Sequence, residues 1–258
     1  MLTFEAVAAN YPINLRPFRR NILREYLQYK ILQALFNSPM AGKLSFIGGT
    51  ALRIVHGNTR FSEDLDFDNF DLNREEFDRL AQIVKKSLEL EGYQVEIKNV
   101  YKKAFRCYVR FPKLLFEYGL SPIEEEKILV QFDTFGHEFK YKPERITLNK
   151  FDVFTEIFVT PIDILLSQKI YAAMTRKRTK GRDFFDIAFL LGKTKPNYQY
   201  LKVKMDIADA KILKKRLAAF CRGLDFEKLA KEIQPFLFSP SDNQRILAFP
   251  EFIKSAAL

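Results

Sequence analysis

The chain has 258 residues, 47% of them hydrophobic and 29% charged, which is enough apolar surface for one large core or two modest ones that fold unaided. Only two cysteines, Cys107 and Cys221, and two histidines, His56 and His137, are present. That excludes a disulfide framework, a zinc cluster and His-based triads, so any catalysis falls to carboxylates and cations. The net charge of +10 favours polyanionic partners by steering and counterion release, with a Lys-rich proteome as the alternative, and reads as spread along the chain rather than held in a tail. No run approaches a membrane span and the first residues lack the apolar block of a signal peptide, so a cytoplasmic protein without a membrane partner is expected.

In chain order, residues 18–36 place Ile22, Leu23, Tyr26, Leu27, Ile31, Leu32 and Leu35 at helical spacing, with Arg19, Arg20 and Arg24 on a solvated face. An apolar strand ending at Phe46 and Ile47 then runs into Gly48-Gly49-Thr50 and a short helical segment with Leu52, Arg53 and Val55. After the loop HGNTR comes the acidic element Arg60-Phe61-Ser62-Glu63-Asp64-Leu65-Asp66-Phe67. Alternation along a strand puts Asp64 and Asp66 on one face, about 7 Å apart, and Leu65 and Phe67 on the other. Such a pair converges on hard divalent cations, while paired glycines and the N–H groups of a following helix start admit phosphate. Together these parts suggest a site for a metal-bound nucleoside triphosphate.

Each part has a plainer reading. A Gly-Gly turn is often only a turn, and alternating Asp is often a solvated face. Asp64, Asp66, Asp68 and Glu75 also match EF-hand positions 1, 3, 5 and 12, but Asn69 stands where the sharp turn needs Gly, and Leu65 and Phe67 read as strand.

Residues 73–91 repeat the 3.6 period and stop at Gly92, and YQVEIKNV and AFRCYVRF read as strands. Glu124-Glu125-Glu126 reads as a solvated turn. In the strand KILVQFDTF, Asp133 sits in an apolar run where burial demands a partner or a metal. Strand FTEIFV ends at Thr160, and Thr160-Pro161-Ile162-Asp163 carries the cap residue, first-turn Pro and acid of a helix start. There the pattern changes from mixed to helical, which sets a domain boundary: 1–160 α/β, 161–258 helical. Beyond it, Lys169, Arg176, Arg178, Lys180 and Arg182 form a dense cationic stretch, with Asp183 and Asp186 three apart on the next helix. An exposed basic loop with ion-paired acids is its plain reading. Residues 198–258 are helical in pattern and carry no evident chemistry.

Gly48-Gly49 followed by Asp64-Leu65-Asp66-Phe67 resembles the signature of the nucleotidyltransferase superfamily, and GGTALR with RFSEDLDF resembles more narrowly the AbiEii/AbiGii abortive-infection toxins. The gap from Gly49 to Asp64 is somewhat longer than the commonest one. Lys169, Arg176, Arg178 and Arg182-Asp183-x-x-Asp186 resemble the second block of those toxins, in the right order. The resemblance, over roughly 44–190, implies an α+β fold: a nucleotidyltransferase-type mixed sheet flanked by helices, followed by a helical C-terminal domain.

It also implies the toxin of a two-gene phage-defence system held in check by a cognate antitoxin. As chemistry it implies that Asp64, Asp66 and Asp133 hold Mg²⁺, two ions in the usual form, while an acceptor hydroxyl displaces pyrophosphate from an NTP. Asp133 as the third carboxylate competes with Asp133 as a strand-end cap or salt bridge. Gly48, Gly49, Thr50, Lys169 and Arg182 would cradle the triphosphate, Arg60 and Ser62 would support the acidic strand or touch phosphate, and Asp183 or Asp186 would orient Lys169 or serve as base. Arg176, Arg178 and Lys180 would meet an RNA acceptor, a tRNA by resemblance. Two rivals are a non-catalytic nucleotide or RNA binder of the same fold, against which the Asp64/Asp66 pair argues, and an antibiotic-modifying enzyme, against which the basic balance argues.

Overall fold

The computed structural model describes residues 1–136 and 138–258; His137, one of the two histidines weighed above, lies outside the described residues. The chain divides into two compact units: Met1–Ala51 with Phe61–Val159, and Leu52–Arg60 with Thr160–Leu258.

In the first unit, helices α1 (Phe4–Ala8), α2 (Arg19–Phe36) and, after strand β1 (Leu44–Ile47), the start of α3 (Gly48–Ile54) precede β2 (Leu65–Asn69). Helix α4 (Arg74–Leu90), β3 (Glu96–Tyr101), β4 (Ala104–Phe111), α5 (Leu114–Glu117), β5 (Ile128–Gly136), β6 (Glu144–Lys150) and β7 (Val153–Val159) follow. The seven strands form one mixed sheet in the order β3-β4-β5-β2-β1-β7-β6, parallel at β2/β5 and β1/β7 and antiparallel elsewhere. Helix α4 begins where Asn73 and Glu76 form a reciprocal capping box, which satisfies two donors of the first turn.

Period-2 and period-3.6 patterns decide what is buried. Phe46 on β1 faces Phe67 on β2 in register, their rings 5.4 Å apart, and Phe36 of α2 lies 6.0 Å from Phe67. Phe132 of β5 meets Phe77 of α4 at 5.4 Å. The seven apolar positions expected to line α2 are all fully buried. With Phe67 and Phe132 turned to the helices, Asp66 and Asp133 must project from the opposite face of the sheet.

The second unit is helical: α6 (Ile162–Thr175), α7 (Gly181–Leu191), α8 (Tyr198–Met205), α9 (Ala210–Cys221), α10 (Phe226–Ile233), α11 (Gln244–Leu247) and α12 (Phe249–Ser255). Helix α7 is its centre, packing on α6, α10 and α11, with Phe184 in edge contact with Phe226 and Phe249 at 5.1 and 5.0 Å. Gly181 opens α7 because the helix meets α10 too closely for a side chain: a Cβ there would lie 2.1 Å from the Leu229 carbonyl oxygen. The sequence pattern puts Thr160 at the cap and Pro161 in the first turn of α6. The helix instead begins at Ile162 with Pro161 in the cap position, and Asp163 accepts from Asn197 Nδ2 at 2.8 Å.

Charge divides with the units. The helical unit has 21 Lys and Arg against 10 Asp and Glu, a net +11, while the sheet unit has 21 against 22. This corrects the expectation of evenly spread charge. The excess sits in a folded unit rather than in a tail. Cys107 and Cys221 are both free and buried, and burial pushes their thiols up to about 12 and about 11, which leaves them inert. No helix among the described residues is long and apolar enough to cross a membrane.

Candidate functional site

The acidic strand of the sheet unit is held at three points. At Gly48 the backbone takes φ +81°, and a Cβ would lie 2.4 Å from Asp66 Oδ2, so the Asp66 carboxylate rests against the glycine itself. Thr50, fully buried, donates its hydroxyl to the Asp64 carbonyl at 2.5 Å. Gln28, buried in the middle of α2, donates its side-chain N–H to the Ser62 and Glu63 carbonyls at 3.0 and 2.9 Å. Asp64 immediately precedes β2 and Asp66 lies within it, both partly exposed. Gly49 is buried in the first turn of α3. In this arrangement the Gly-Gly-Thr element positions the two aspartates.

Asp133 is the direct register partner of Asp66 across the parallel β2/β5 pair. It is also the register partner of Arg106 on β4, on its other side. Arg106 donates from Nε to both carboxylate oxygens at 2.9 and 3.0 Å and from Nη2 to Oδ2 at 2.7 Å. A planar guanidinium matched to a carboxylate in this way makes a strong pair. Asp68, next along the same face of β2, accepts from the Tyr141 hydroxyl at 2.6 Å.

Asp64 and Asp66 form an all-oxygen donor pair that suits a hard divalent cation, and the Gly48 cradle holds Asp66 in place, so these two residues fit the ion. Asp133 fits by register, but its oxygens are engaged by Arg106. Among the described residues no three His, Cys, Asp or Glu side chains are grouped to hold an ion.

The helical unit carries the second set of expected residues, and its geometry is that of a buried ionic network. Asp186 is completely buried and has four donors. Arg60 reaches it twice, Nε to Oδ1 at 2.8 Å and Nη2 to Oδ2 at 2.6 Å; Asn58 Nδ2 adds a bond to Oδ1 at 2.8 Å, and Lys169 Nζ lies 2.8 Å from Oδ2. Burial alone would raise the pKa of Asp186, but the charges and hydrogen bonds of Arg60 and Lys169 outweigh it and hold the carboxyl well below the usual carboxylate range. Arg60 is raised in turn: burial works against its charge and Asp186 more than restores it. Asp183 is also fully buried; its oxygens make no hydrogen bond and lie 3.9 Å from Lys169 Nζ and 3.3 Å from Arg176 Nη1. Lys180 and Arg178 pair with Glu232 at 2.6 and 3.9 Å, while Arg182 is exposed on α7.

Thus Lys169, Asp183, Asp186 and Arg176 come together as the second motif block suggests, and Arg60 joins them inside the same unit. Ser62, by contrast, belongs to the sheet unit. Reasoning from sequence missed Arg106, Gln28 and Asn58. An Arg within the strand AFRCYVRF and a Gln among the apolar residues of α2 are the signals that point to the first two.

The mixed sheet with its glycine turn and paired aspartates is a nucleotidyltransferase fold. Solved chains with the same architecture include "Crystal structure of JHP933 from Helicobacter pylori", with a TM-score of 0.56 at 20% identity over 91% of this chain and 90% of that one. Another is "Crystal structure of putative nucleotidyltransferase from H. pylori", with a TM-score of 0.55 at 20% identity over 90% of this chain and 93% of that one. No curated protein matches. The family model "Nucleotidyl transferase AbiEii toxin, Type IV TA system" matches residues 30–250, and the chain belongs to this family of nucleotidyltransferases. Membership implies a cognate antitoxin as partner.

Proposed function

We propose that the protein transfers a nucleoside monophosphate from an NTP to an RNA acceptor, a tRNA by family resemblance, as the Mg²⁺-dependent toxin of its pair. The observation that carries this reading is the clamping of the acidic strand to the glycine turn. The Asp66 carboxylate lies on Gly48 and the Asp64 backbone carbonyl accepts from Thr50, so the segment that carries both carboxylates is fixed against the start of α3. Such rigidity suits a metal-borne triphosphate better than a solvated face, because side chains that only meet water need no fixed geometry.

In this reading Asp64 and Asp66 hold the ion, and Asp133 is the third carboxylate once Arg106 releases it. Mg²⁺, when bound, supplies Lewis-acid stabilisation to the oxygens around the reacting phosphorus. The chain's own residues do the positioning: Gly48 leaves room for Asp66, Thr50 orients Asp64, and Gln28 fixes the backbone leading into the pair. The basic helical unit provides the charge that draws in a polyanionic acceptor.

The test is incubation of the purified protein with each α-labelled NTP, Mg²⁺ and total cellular RNA, in parallel with Asp64→Asn and Asp66→Asn. Label should pass to RNA with the wild type alone, and both variants should keep the wild-type fold. Full transfer by either variant at ordinary Mg²⁺ would overturn the metal assignment, and label appearing only on protein or on small molecules would overturn the RNA acceptor.

A further inference from the structure

Part of the excess charge of the helical unit is gathered on one helix. Helix α9 and its cap, residues 210–222, carry Lys211, Lys214, Lys215, Arg216 and Arg222 and no acid. Two of these are used internally: Lys214 donates to the Lys254 carbonyl at 3.1 Å and Arg216 to the Met205 carbonyl at 2.7 Å. Lys211, Lys215 and Arg222 are exposed and, among the described residues, have neither an ion pair nor a hydrogen-bond acceptor.

Spaced at i, i+4 and i+11, these three fall within about 40° of one another around the helix at 3.6 residues per turn, a single stripe roughly 16 Å long. Among the described residues no carboxylate of the unit pairs with the stripe. The Asp206, Glu232 and Glu251 carboxylates are taken by Lys202, Lys180 and Lys254, and Asp209 and Asp225 cap helices. Lys211 and Lys215 repel one another at i, i+4, and Lys211 stands in the first turn, where the helix dipole disfavours a cation. The stretch Arg176–Lys180 is the opposite case, because Arg176, Arg178 and Lys180 all have carboxylates within the same unit.

We propose that the Lys211/Lys215/Arg222 stripe of α9 is the phosphate-backbone docking surface for the RNA acceptor. This rests on the RNA reading above and places the acceptor contact on α9 rather than on the paired Arg176–Lys180 stretch. An RNA strand supplies a row of singly charged phosphates along a line, which is the complement of three unpaired cations on one helix face. Binding releases counterions in proportion to the contacts made.

The experiment measures binding of a fluorescein-labelled oligouridylate by anisotropy across a salt series, without nucleotide, so its outcome is independent of whether transfer occurs. The triple variant Lys211→Gln/Lys215→Gln/Arg222→Gln should keep the wild-type melting temperature. It should lose about two units of the log K versus log salt slope, at about 0.7 per lost contact to a single strand. Arg176→Ala/Arg178→Ala/Lys180→Ala should leave the slope unchanged. A wild-type slope in the α9 variant, or a slope that flattens only in the Arg176–Lys180 variant, would overturn the proposal and leave the stripe to an acidic protein partner. Failure of the wild type to bind at low salt would overturn it as well. Loss of transfer with binding intact would count against the proposed activity alone.

Discussion

Asp186→Asn separates an ionic core from an exposed catalytic acid. The carboxylate is completely buried with Arg60 Nε and Nη2, Asn58 Nδ2 and Lys169 Nζ all within 2.8 Å, and Arg60 itself is 3% exposed. An amide keeps the shape but withdraws the carboxylate that both cations contact directly, leaving two buried cations with only the more distant Asp183 as counter-charge. It also turns an N–H₂ toward groups that can only donate. Removing one partner of a buried pair costs about 3–5 kcal/mol, against a whole-domain stability of about 5–15 kcal/mol. Urea denaturation followed by far-UV circular dichroism at pH 7 should show that loss in the helical transition.

The pH dependence is a second reading of the same network. Because the folded-state pKa of Asp186 is depressed, its stabilisation is fully present above the unfolded value of about 3.9 and is lost as pH falls toward the folded one. The gap between wild type and Asp186→Asn should therefore be flat from neutral pH down to about pH 5 and narrow below about pH 4. A loss under about 1 kcal/mol, or a gap that does not narrow in acid, would refute the buried network as a source of stability.

Gly48→Ala should cost about 1–2 kcal/mol from the left-handed backbone alone, and the added Cβ, 2.4 Å from Asp66 Oδ2, should displace the carboxylate; thermal melting and Mn²⁺ titration by paramagnetic resonance should both register it. Arg106→Met should destabilise the apo protein by leaving the buried Asp133 unpaired, and should tighten Mn²⁺ binding if the guanidinium competes with the ion; an unchanged affinity would remove Asp133 from the metal site. Thr50→Val should cost about 1–3 kcal/mol through the lost bond to the Asp64 carbonyl, and Thr50→Ser should restore it, as chemical denaturation would show. Should Thr50→Ser fail to restore it, shape rather than the hydroxyl is what matters there.

Local periodicity determined a good deal by itself. The alternation that separates Asp64 and Asp66 from Leu65 and Phe67, the helical stripe of α2 and the change to an all-helical pattern at Thr160 are properties of neighbouring residues, and side-chain direction at short range is set by backbone geometry alone. The two motif blocks, each a run of local spacings, identified the family and the fold class that the comparisons show. Partner choice was decided only by tertiary structure. Arg106 reaches Asp133 because β4 and β5 are antiparallel neighbours in that register, and Asp66 lies beside Asp133 because β2 pairs with β5 rather than with β4. Arg60 reads as part of the acidic strand, yet it bonds Asp186, 126 residues away, because its segment packs with the helical unit. Thr50 and Gln28 likewise spend their polar atoms on backbone carbonyls of the acidic segment. A buried donor takes whichever acceptor the fold brings within 3 Å, and no local pattern encodes that distance.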